Sequence, residues 1–343
     1  MIQCFFKELI RFNNTEVALD RSSANISPLN PSLVILEDWT SVLTYGKGKL
    51  YIIPAAFFLL ALLMASPIIL LAIFSNQSLY QETRYRLLAN TLISDLIYSV
   101  VNLIITATNI APFLFPKIMC QILLGFLTMT YYNGVLNITA MVVDLYLAVN
   151  WPLHYNSLLP PRRAIKMILC IWGLSALTPI VTYIIMSAKE DLMCAVPVCV
   201  IDMIFFLHQT DQALGQFNYF GLVIMFCSCF VVIVGCYYTL YWRTRHSGIW
   251  NGTSSRGRQT FLIHSLLFVF YLFPVIILIT EKILLTKKVM NFFSLIYVTM
   301  TMSNIVMMLP KALTPYLYGL RYRDLAATIK CLIKWKTKIN PTS

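Results

Sequence analysis

The chain has 343 residues, of which 59% are hydrophobic and only 12% are charged, and its formal net charge is +12. Charged residues make up about 25% of a soluble globular domain, so this chain has more apolar surface than a water-exposed fold of its size can bury. The composition excludes a soluble multidomain protein, a disordered chain, a collagen-like chain and a disulfide-dense secreted scaffold. It indicates an integral membrane protein.

Seven apolar runs are each long enough to cross a bilayer as a helix, which takes roughly 20 residues. The runs are unbroken rather than alternating, so they predict helices and not an outer-membrane barrel. The predicted fold class is an all-α membrane protein, a seven-transmembrane helix bundle with a short amphipathic eighth helix. The predicted spans are Leu50–Phe74, Leu87–Phe115, Ile118–Val149, Ile165–Ala188, Leu214–Trp242, Phe261–Leu285 and Val289–Leu320.

The distribution of charge predicts the orientation of the chain. The segment before the first span contains no secretory signal, so the first span is expected to act as its own anchor. With the N-terminus outside, the inner loops and tail carry fifteen Lys and Arg residues against two acids, whereas the outer segments are balanced. The positive-inside rule therefore predicts an extracellular N-terminal segment (1–48), a seven-helix domain (49–320) and a cytoplasmic amphipathic helix and tail (321–343).

The basic inner face is expected to contact anionic lipids of the inner leaflet. Because its cations are spread over three short loops and a tail, nucleic acid is not expected as a partner. The extracellular N-terminal segment contains two predicted N-glycosylation sites, Asn13 and Asn25, each followed by the required Ser or Thr two positions later.

Three cysteines on the predicted outer face could act together, since disulfides are stable in that compartment. Cys120 opens the third span, and Cys194 and Cys199 lie in the loop after the fourth span. A bridge from Cys120 to one of these two would hold the loop across the mouth of the bundle, and the sequence leaves open which one pairs. On the inner side, Cys331 lies in a stretch with apolar residues at helical spacing, and it is either palmitoylated or an unmodified thiol.

The sequence contains no motif of a metalloprotease, a serine hydrolase or a nucleotide-binding loop, and no paired His or Cys spacing for a metal. No enzyme activity and no cofactor are therefore expected. A transporter is the alternative class for a chain with many spans, but the odd number of spans and the lack of an internal repeat disfavour it.

Several spaced motifs resemble those of odorant receptors, within the rhodopsin-like G-protein-coupled receptors. The third span ends in MVVDLYLAV followed by WPLHY, which is similar to the family segment MAYDRYVAICNPLHY. Cys120 lies 24 positions before Asp144, as in the family. Trp172 and Asp95 stand at the positions of the fourth-span and second-span signatures. Residues 310–324, PKALTPYLYGLRYRD, are similar to the family segment PMLNPLIYSLRNKD.

This resemblance implies a plasma-membrane receptor that binds a small hydrophobic ligand from the extracellular side and activates a heterotrimeric G protein at its inner face. Three short stretches, at 66–67, 247–250 and 307–310, resemble one orphan receptor within this group more closely.

The switch motifs of the family are only partly present. In Asp144-Leu145-Tyr146, leucine replaces the arginine that contacts the G protein in the family. In the seventh span Thr314 replaces the asparagine of the NPxxY motif, although Pro315 and Tyr318 remain. The sixth-span proline, Pro274, is also present. The alternative to a signalling receptor is therefore a weakly signalling or silent one that acts as a decoy, scaffold or dimer partner.

Asp95 and Lys311 are the two ionisable groups deepest in the predicted bundle, where a charge is costly unless it is paired or hydrated. In the family, the aspartate matching Asp95 helps to bind sodium together with a serine, which is replaced here by Gly134, and polar seventh-span residues. We hypothesise that the ammonium of Lys311 takes the place of the sodium ion and pairs with Asp95. The alternative is that Lys311 reaches a water-filled cavity and does not contact Asp95.

The resemblance also implies a ligand pocket in the outer half of the bundle, lined by apolar side chains with a few polar anchors. Leu127 stands where amine receptors carry an aspartate, so a biogenic amine is not the expected ligand. The candidate lining residues are Thr128, Tyr131, Tyr132, Asn218, Tyr219, Tyr271, Phe273, Phe293, Tyr297 and Asn304.

Overall fold

The computed structural model of the chain describes residues 48–110, 115–189, 195–196, 199–200, 212–246, 255–287, 292–321 and 325–329. The predicted sites Asn13, Asn25, Cys194 and Cys331 lie outside these ranges, as do the tail and most of the loop after the fourth span.

The described residues form seven long helical segments. A 3-10 turn at Gly48–Tyr51 leads into the first of them, and shorter helices at Gln77–Gln81 and Tyr155–Leu158 lie in the connections. The first six long helices are α1 (Ile52–Ser75), α2 (Thr83–Ile110), α3 (Lys117–Asn150), α4 (Pro161–Lys189), α5 (Gln212–His246) and α6 (Ser255–Thr286).

The seventh segment, α7, consists of Phe292–Thr301, a π-helical turn at Met302–Val306, and Met308–Arg321. Among the described residues, α1 to α6 are each long and apolar enough to cross a membrane. The two α-helical parts of α7 are each shorter than a span, and only together, with the π turn between them, do they reach the length that a bilayer requires.

The helices extend beyond the apolar runs at several ends. α2 begins at Thr83, four residues before the predicted start, and α5 continues to His246. The prediction was wrong at Phe115, because α2 ends at Ile110 and Phe115–Pro116 instead pairs antiparallel with Ala195–Val196. Hydropathy marks the residues that contact lipid, whereas the backbone hydrogen bonds of a helix continue or stop independently of that boundary.

α3 lies at the centre of the bundle, where it packs against α2, α4, α5 and α6. α7 packs against α1, α2 and α6 and completes the ring. The buried face of α3 repeats at helical spacing, with Leu124, Leu127, Tyr131, Val135 and Ile138 all buried.

Polar side chains are concentrated inside the bundle and large apolar side chains cover its outside. The interior contains several fully buried polar groups, whereas α1, α4 and α5 expose leucine, isoleucine and phenylalanine side chains. This arrangement suits a lipid environment, since polar groups find partners inside the bundle and apolar groups contact lipid outside it.

The chain continues beyond α7 into a helical segment at 325–329, which corresponds to the predicted eighth helix. Leu325 is buried, and the amide of Asn76 donates a hydrogen bond to the hydroxyl of Thr328 at 3.3 Å. This segment is thus attached to the inner end of α1.

Candidate functional site

An ion pair between α2 and α7 lies at the centre of the bundle. Nζ of Lys311 donates a hydrogen bond to Oδ1 of Asp95 at 2.9 Å, and both side chains are 0% exposed. On α2, Asp95 shares the buried face with Ser99 and Asn102, four and seven residues later. On α7, Lys311 shares a buried face with Thr314 and Tyr318. Helical periodicity therefore directs both charged groups into the bundle.

Two tyrosines complete the surroundings of the Lys311 ammonium. Nζ of Lys311 donates a second hydrogen bond to the hydroxyl of Tyr271 at 3.3 Å, and it lies 4.4 Å from the ring centroid of Tyr98. An ammonium held against an aromatic face is stabilised by the ring quadrupole. The buried cation therefore has a carboxylate, a hydroxyl and an aromatic face as partners, which together offset its loss of hydration.

Gly134 on α3 provides the space that Tyr271 occupies. A Cβ atom at position 134 would lie 2.7 Å from Oη and 3.1 Å from Cζ of Tyr271. Any larger residue at this position would displace the phenol from the ion pair. The serine that many relatives carry at this position is therefore incompatible with the observed placement of Tyr271.

The residues around Asp95 favour the Lys311 ammonium over a sodium ion. The ammonium pairs with Oδ1 of the carboxylate, Oδ2 has no hydrogen-bond partner among the described residues, and Gly134 offers no side-chain oxygen. The hydroxyl of Thr314 donates a hydrogen bond to the carbonyl of Pro310 in its own helix, at 2.8 Å. A second cation next to Lys311 would be repelled by it.

A second polar network lies towards the inner side of the ion pair and joins α2, α3 and α4. Nε1 of Trp172 donates to Oδ1 of Asn90 at 2.8 Å, and Nδ2 of Asn90 donates to Oδ1 of Asn137 at 3.0 Å. Asn137 begins a glycosylation sequon, but it is fully buried within α3. Its amide instead accepts a hydrogen bond from Asn90, and the amide of Asn90 joins α2 to both α3 and α4.

The inner ends of α6 and α7 are joined by a buried contact between His264 and Tyr318. Oη of Tyr318 lies 2.7 Å from Nδ1 of His264 in a hydrogen bond, and both side chains are buried. Pro274 in α6 and Pro315 in α7 lie within the helices that carry this contact.

The Asp144-Leu145-Tyr146 motif makes contacts at the inner end of α3. The hydroxyl of Tyr155 donates a hydrogen bond to Oδ1 of Asp144 at 2.7 Å. Burial and the neighbouring Asp144 carboxylate raise the pKa of Tyr155, so this phenol stays protonated as the donor. Leu145 is half-buried and packs against the hydrophobic core. The ring of Tyr146 packs edge-on against Trp151.

A disulfide joins Cys120, near the start of α3, to Cys199, so Cys199 is the partner that the sequence left open. Asn109 of α2 holds the same point of the loop by a second route. Its Nδ2 donates to the carbonyl oxygen of Cys199 at 2.7 Å, and the backbone N–H of Cys199 donates to its Oδ1 at 2.6 Å. The loop is thereby attached to both α2 and α3.

The candidate ligand-pocket residues do not share one cavity. Thr128, Tyr132 and Asn218 line a cleft between α3, α4 and α5. Tyr271 lies at the ion pair, and the Tyr131 hydroxyl donates to its backbone carbonyl at 2.6 Å.

The remaining candidates lie elsewhere. Asn304 is buried and accepts hydrogen bonds from Asn102 and Thr106, at 2.9 and 2.7 Å. Phe273 is 47% exposed on the outside of α6, which does not fit a position inside the bundle. Tyr219 and Tyr297 are half-buried. The side chain of Phe293 lies outside the described part of the chain.

These features define a helical membrane bundle with a disulfide at one end and buried polar contacts between its helices. Residues 67–318 match the family model described as 7 transmembrane receptor (rhodopsin family), so the chain belongs to this family of receptors. The family is a class of receptors and not of enzymes.

Among curated proteins, the chain is similar to Probable G-protein coupled receptor 148 of Homo sapiens, with 29% identity over 289 residues covering 81% of this chain and 80% of that protein. It is also similar to Odorant receptor 131-2 of Danio rerio, with 22% identity over 262 residues, 75% of this chain and 78% of that receptor. A shorter match, 30% identity over 137 residues, is to C-X-C chemokine receptor type 2 of Gorilla gorilla gorilla and covers 39% of this chain and 37% of that receptor.

Proposed function

We propose that this chain is an odorant-receptor-like plasma-membrane receptor that senses a small, mostly apolar ligand and signals to a heterotrimeric G protein. Its N-terminus is extracellular, its C-terminus is cytoplasmic, and its basic inner loops contact anionic lipids. The observation that carries the proposal is the contact between His264 and Tyr318. The hydrogen bond between the inner ends of α6 and α7 can break when ligand binding moves α6 outward, and this movement would open the inner face.

The ion pair is proposed to replace the sodium ion of the family with a cation that is part of the chain. The 2.9 Å contact and the complete burial of Asp95 and Lys311 support this proposal, as does the Tyr271 phenol in the space beside Gly134. Because a lysine side chain cannot dissociate, the activity of this receptor should not depend on sodium concentration.

The second candidate function is a silent receptor that serves as a decoy, scaffold or dimer partner. It is favoured by Leu145, which is apolar, half-buried and packed against the core at the position of the G-protein-contacting arginine. An aliphatic side chain at this position offers the G protein no charge-assisted hydrogen bond.

A G-protein recruitment assay distinguishes the two candidates. The native chain is compared with Leu145→Arg at matched surface expression, with Leu145→Met as the control for changed packing. A signalling receptor recruits G protein in its native form, and restoring the arginine increases recruitment. If neither the native chain nor Leu145→Arg recruits G protein above the level of Leu145→Met, the silent function is supported.

Three further features of this proposal are testable at the cell surface. Asn13 and Asn25 are proposed as glycosylation sites and Cys331 as a palmitoylation site. Epitope tags at both termini, stained with and without permeabilisation, check the orientation. If both tags are accessible from the same side of the membrane, the proposed topology is wrong.

A further inference from the structure

The cleft between α3, α4 and α5 contains buried polar groups that lack partners. The side-chain amide of Gln121 and the hydroxyl of Tyr132 both line this cleft, and within the described part of the chain neither has a hydrogen-bond partner. Tyr132 is only 3% exposed. A polar group that is buried without a partner costs free energy, so these groups favour any molecule that supplies the missing hydrogen bonds.

Other buried polar groups of the cleft have partners within the protein. Thr128 donates to the carbonyl of Leu124 at 2.8 Å, and Thr182 donates to Oδ1 of Asn218 at 2.6 Å. Among the described lining residues, the fully buried atoms without a partner belong to one amide, Gln121, and one phenol, Tyr132. Together they offer N–H and O–H donors, an amide carbonyl acceptor and a hydroxyl acceptor.

The cleft selects against charge. Among the described residues that line it there is no aspartate, glutamate, lysine or arginine. A charged group placed here would lose its hydration without gaining an opposite charge. A neutral group that both donates and accepts, such as an alcohol or a primary amide, satisfies the free atoms at no such cost.

The shape of the cleft indicates how such a molecule would be held. Its cavity volume is about 20 Å³, so it accommodates a small polar group and not a whole ligand. One side of the cleft meets the outer surface of the bundle at Tyr183, which is exposed. The neighbouring surface carries the exposed apolar side chains of Ile122, Phe126 and Ile180, which would contact an aliphatic chain.

We propose that this cleft binds the polar end of an uncharged, membrane-soluble molecule, an alcohol or primary amide, whose apolar chain lies along the lipid-facing surface of α3 and α4. This inference builds on the proposed small-molecule receptor and specifies the chemical class of its ligand and its route of entry. The ligand reaches the site from the bilayer, because the cleft is lined by the exposed Tyr183 and lies beside the exposed apolar side chains of Ile122, Phe126 and Ile180.

Photolabelling of the full chain in lipid nanodiscs tests the proposal. The probes are diazirine derivatives of decanamide, decanol, decanoate and decylammonium, which differ only in the polar end. We expect the amide and alcohol probes to label peptides of α3 and α4 about tenfold more efficiently than the two charged probes. Equal labelling by all four probes would show that the site does not select a polar group and would overturn the proposal.

Two variants separate the contribution of the unpartnered polar groups to labelling from the contribution of the open cleft. Gln121→Leu combined with Tyr132→Phe removes both unpartnered groups and should reduce labelling by the amide probe about tenfold. Gly125→Leu fills the cleft, because position 125 faces Pro179 with a Cβ distance of 3.7 Å, and it should abolish labelling. Gly173→Leu is the matched control, since a Cβ at position 173 of α4 contacts nothing within 4 Å.

Thermal unfolding without probe shows whether the double variant still folds, so that a loss of labelling is not caused by misfolding. Because the double variant removes polar groups that lack partners, its melting temperature should equal or exceed that of the native chain. A lower melting temperature would mean that these groups are bonded to an internal water, and the proposal would then be wrong. Labelling needs no G protein, so a silent receptor still labels, whereas a coupling receptor that fails to label overturns only this inference.

Discussion

The ion pair between Asp95 and Lys311 allows a quantitative test of the central site. At 2.9 Å the attraction between two unit charges is about 6 kcal/mol with an effective dielectric constant near 20. Desolvation of two buried charges offsets much of this attraction, so the net value of the pair is smaller than the attraction itself. Removing one partner alone, however, leaves the other charge buried and unpaired, which costs about 3–5 kcal/mol.

The test is a double-mutant cycle with Lys311→Met and Asp95→Asn. Each single variant should lose about 3 kcal/mol or more of the free energy of unfolding, and the double variant should lose clearly less than the sum of the two. The free energy is measured by denaturant unfolding of the purified chain in detergent, with surface expression in cells as a second readout.

A matched control is available in the connection between α1 and α2. Glu82 and Arg84 also form an ion pair, but their side chains are 43% and 42% exposed, respectively. The same cycle on this pair should give a coupling of about 1 kcal/mol or less. If the losses at Asp95 and Lys311 simply add, the two residues do not stabilise each other, and the proposed replacement of sodium is refuted.

Three other substitutions test separate contacts. Gly134→Ala should lower the melting temperature because its methyl group would lie 2.7 Å from Oη of Tyr271, and adding Tyr271→Phe should restore part of the loss in the same thermal scan; an unchanged melting temperature for the single variant would contradict the close approach. Tyr318→Phe should raise basal G-protein recruitment, measured in the Leu145→Arg background, because it removes the hydrogen bond between α6 and α7; lower or unchanged recruitment at matched expression would exclude a latch at this contact. Asn109→Ala should lower the free energy of unfolding in denaturant by about 1–3 kcal/mol, since it leaves the backbone groups of Cys199 without their partners. A loss clearly below about 1 kcal/mol would mean that the disulfide alone holds the loop.

The sequence predicted the features that depend on strong local signals. Apolar runs of membrane length predict spans because lipid contact requires them, and all seven predicted runs contain long helical segments in the structure. Two lone charges in apolar spans are a similarly strong signal, and in the structure the side chains of Asp95 and Lys311 are in contact.

The rotational setting of α6 was not predictable in the same way. Tyr271 and Phe273 are both aromatic and only two positions apart, and they were assigned to the same pocket. In the structure Tyr271 is buried at the ion pair while Phe273 is on the outside of the bundle. A helix that is apolar on all sides carries no amphipathic pattern, so its sequence does not indicate which face is turned inward.

The disulfide partner and the His264–Tyr318 contact depended on long-range geometry. Cys194 and Cys199 lie in the same loop, and only the position of that loop over α3 selects Cys199. His264 and Tyr318 are 54 residues apart in sequence. The need of buried polar groups for partners indicates that each has one, but not which.

The close fit of Gly134 against Tyr271 makes the central residues depend on one another. A Cβ at position 134 would lie 2.7 Å from Oη of Tyr271, so any side chain there would move the phenol from its present position. The same phenol accepts a hydrogen bond from the ammonium of Lys311. The three positions are therefore expected to be inherited as a block, and transplanting the lysine alone into a relative would give it a cation without the neighbours that accommodate it here.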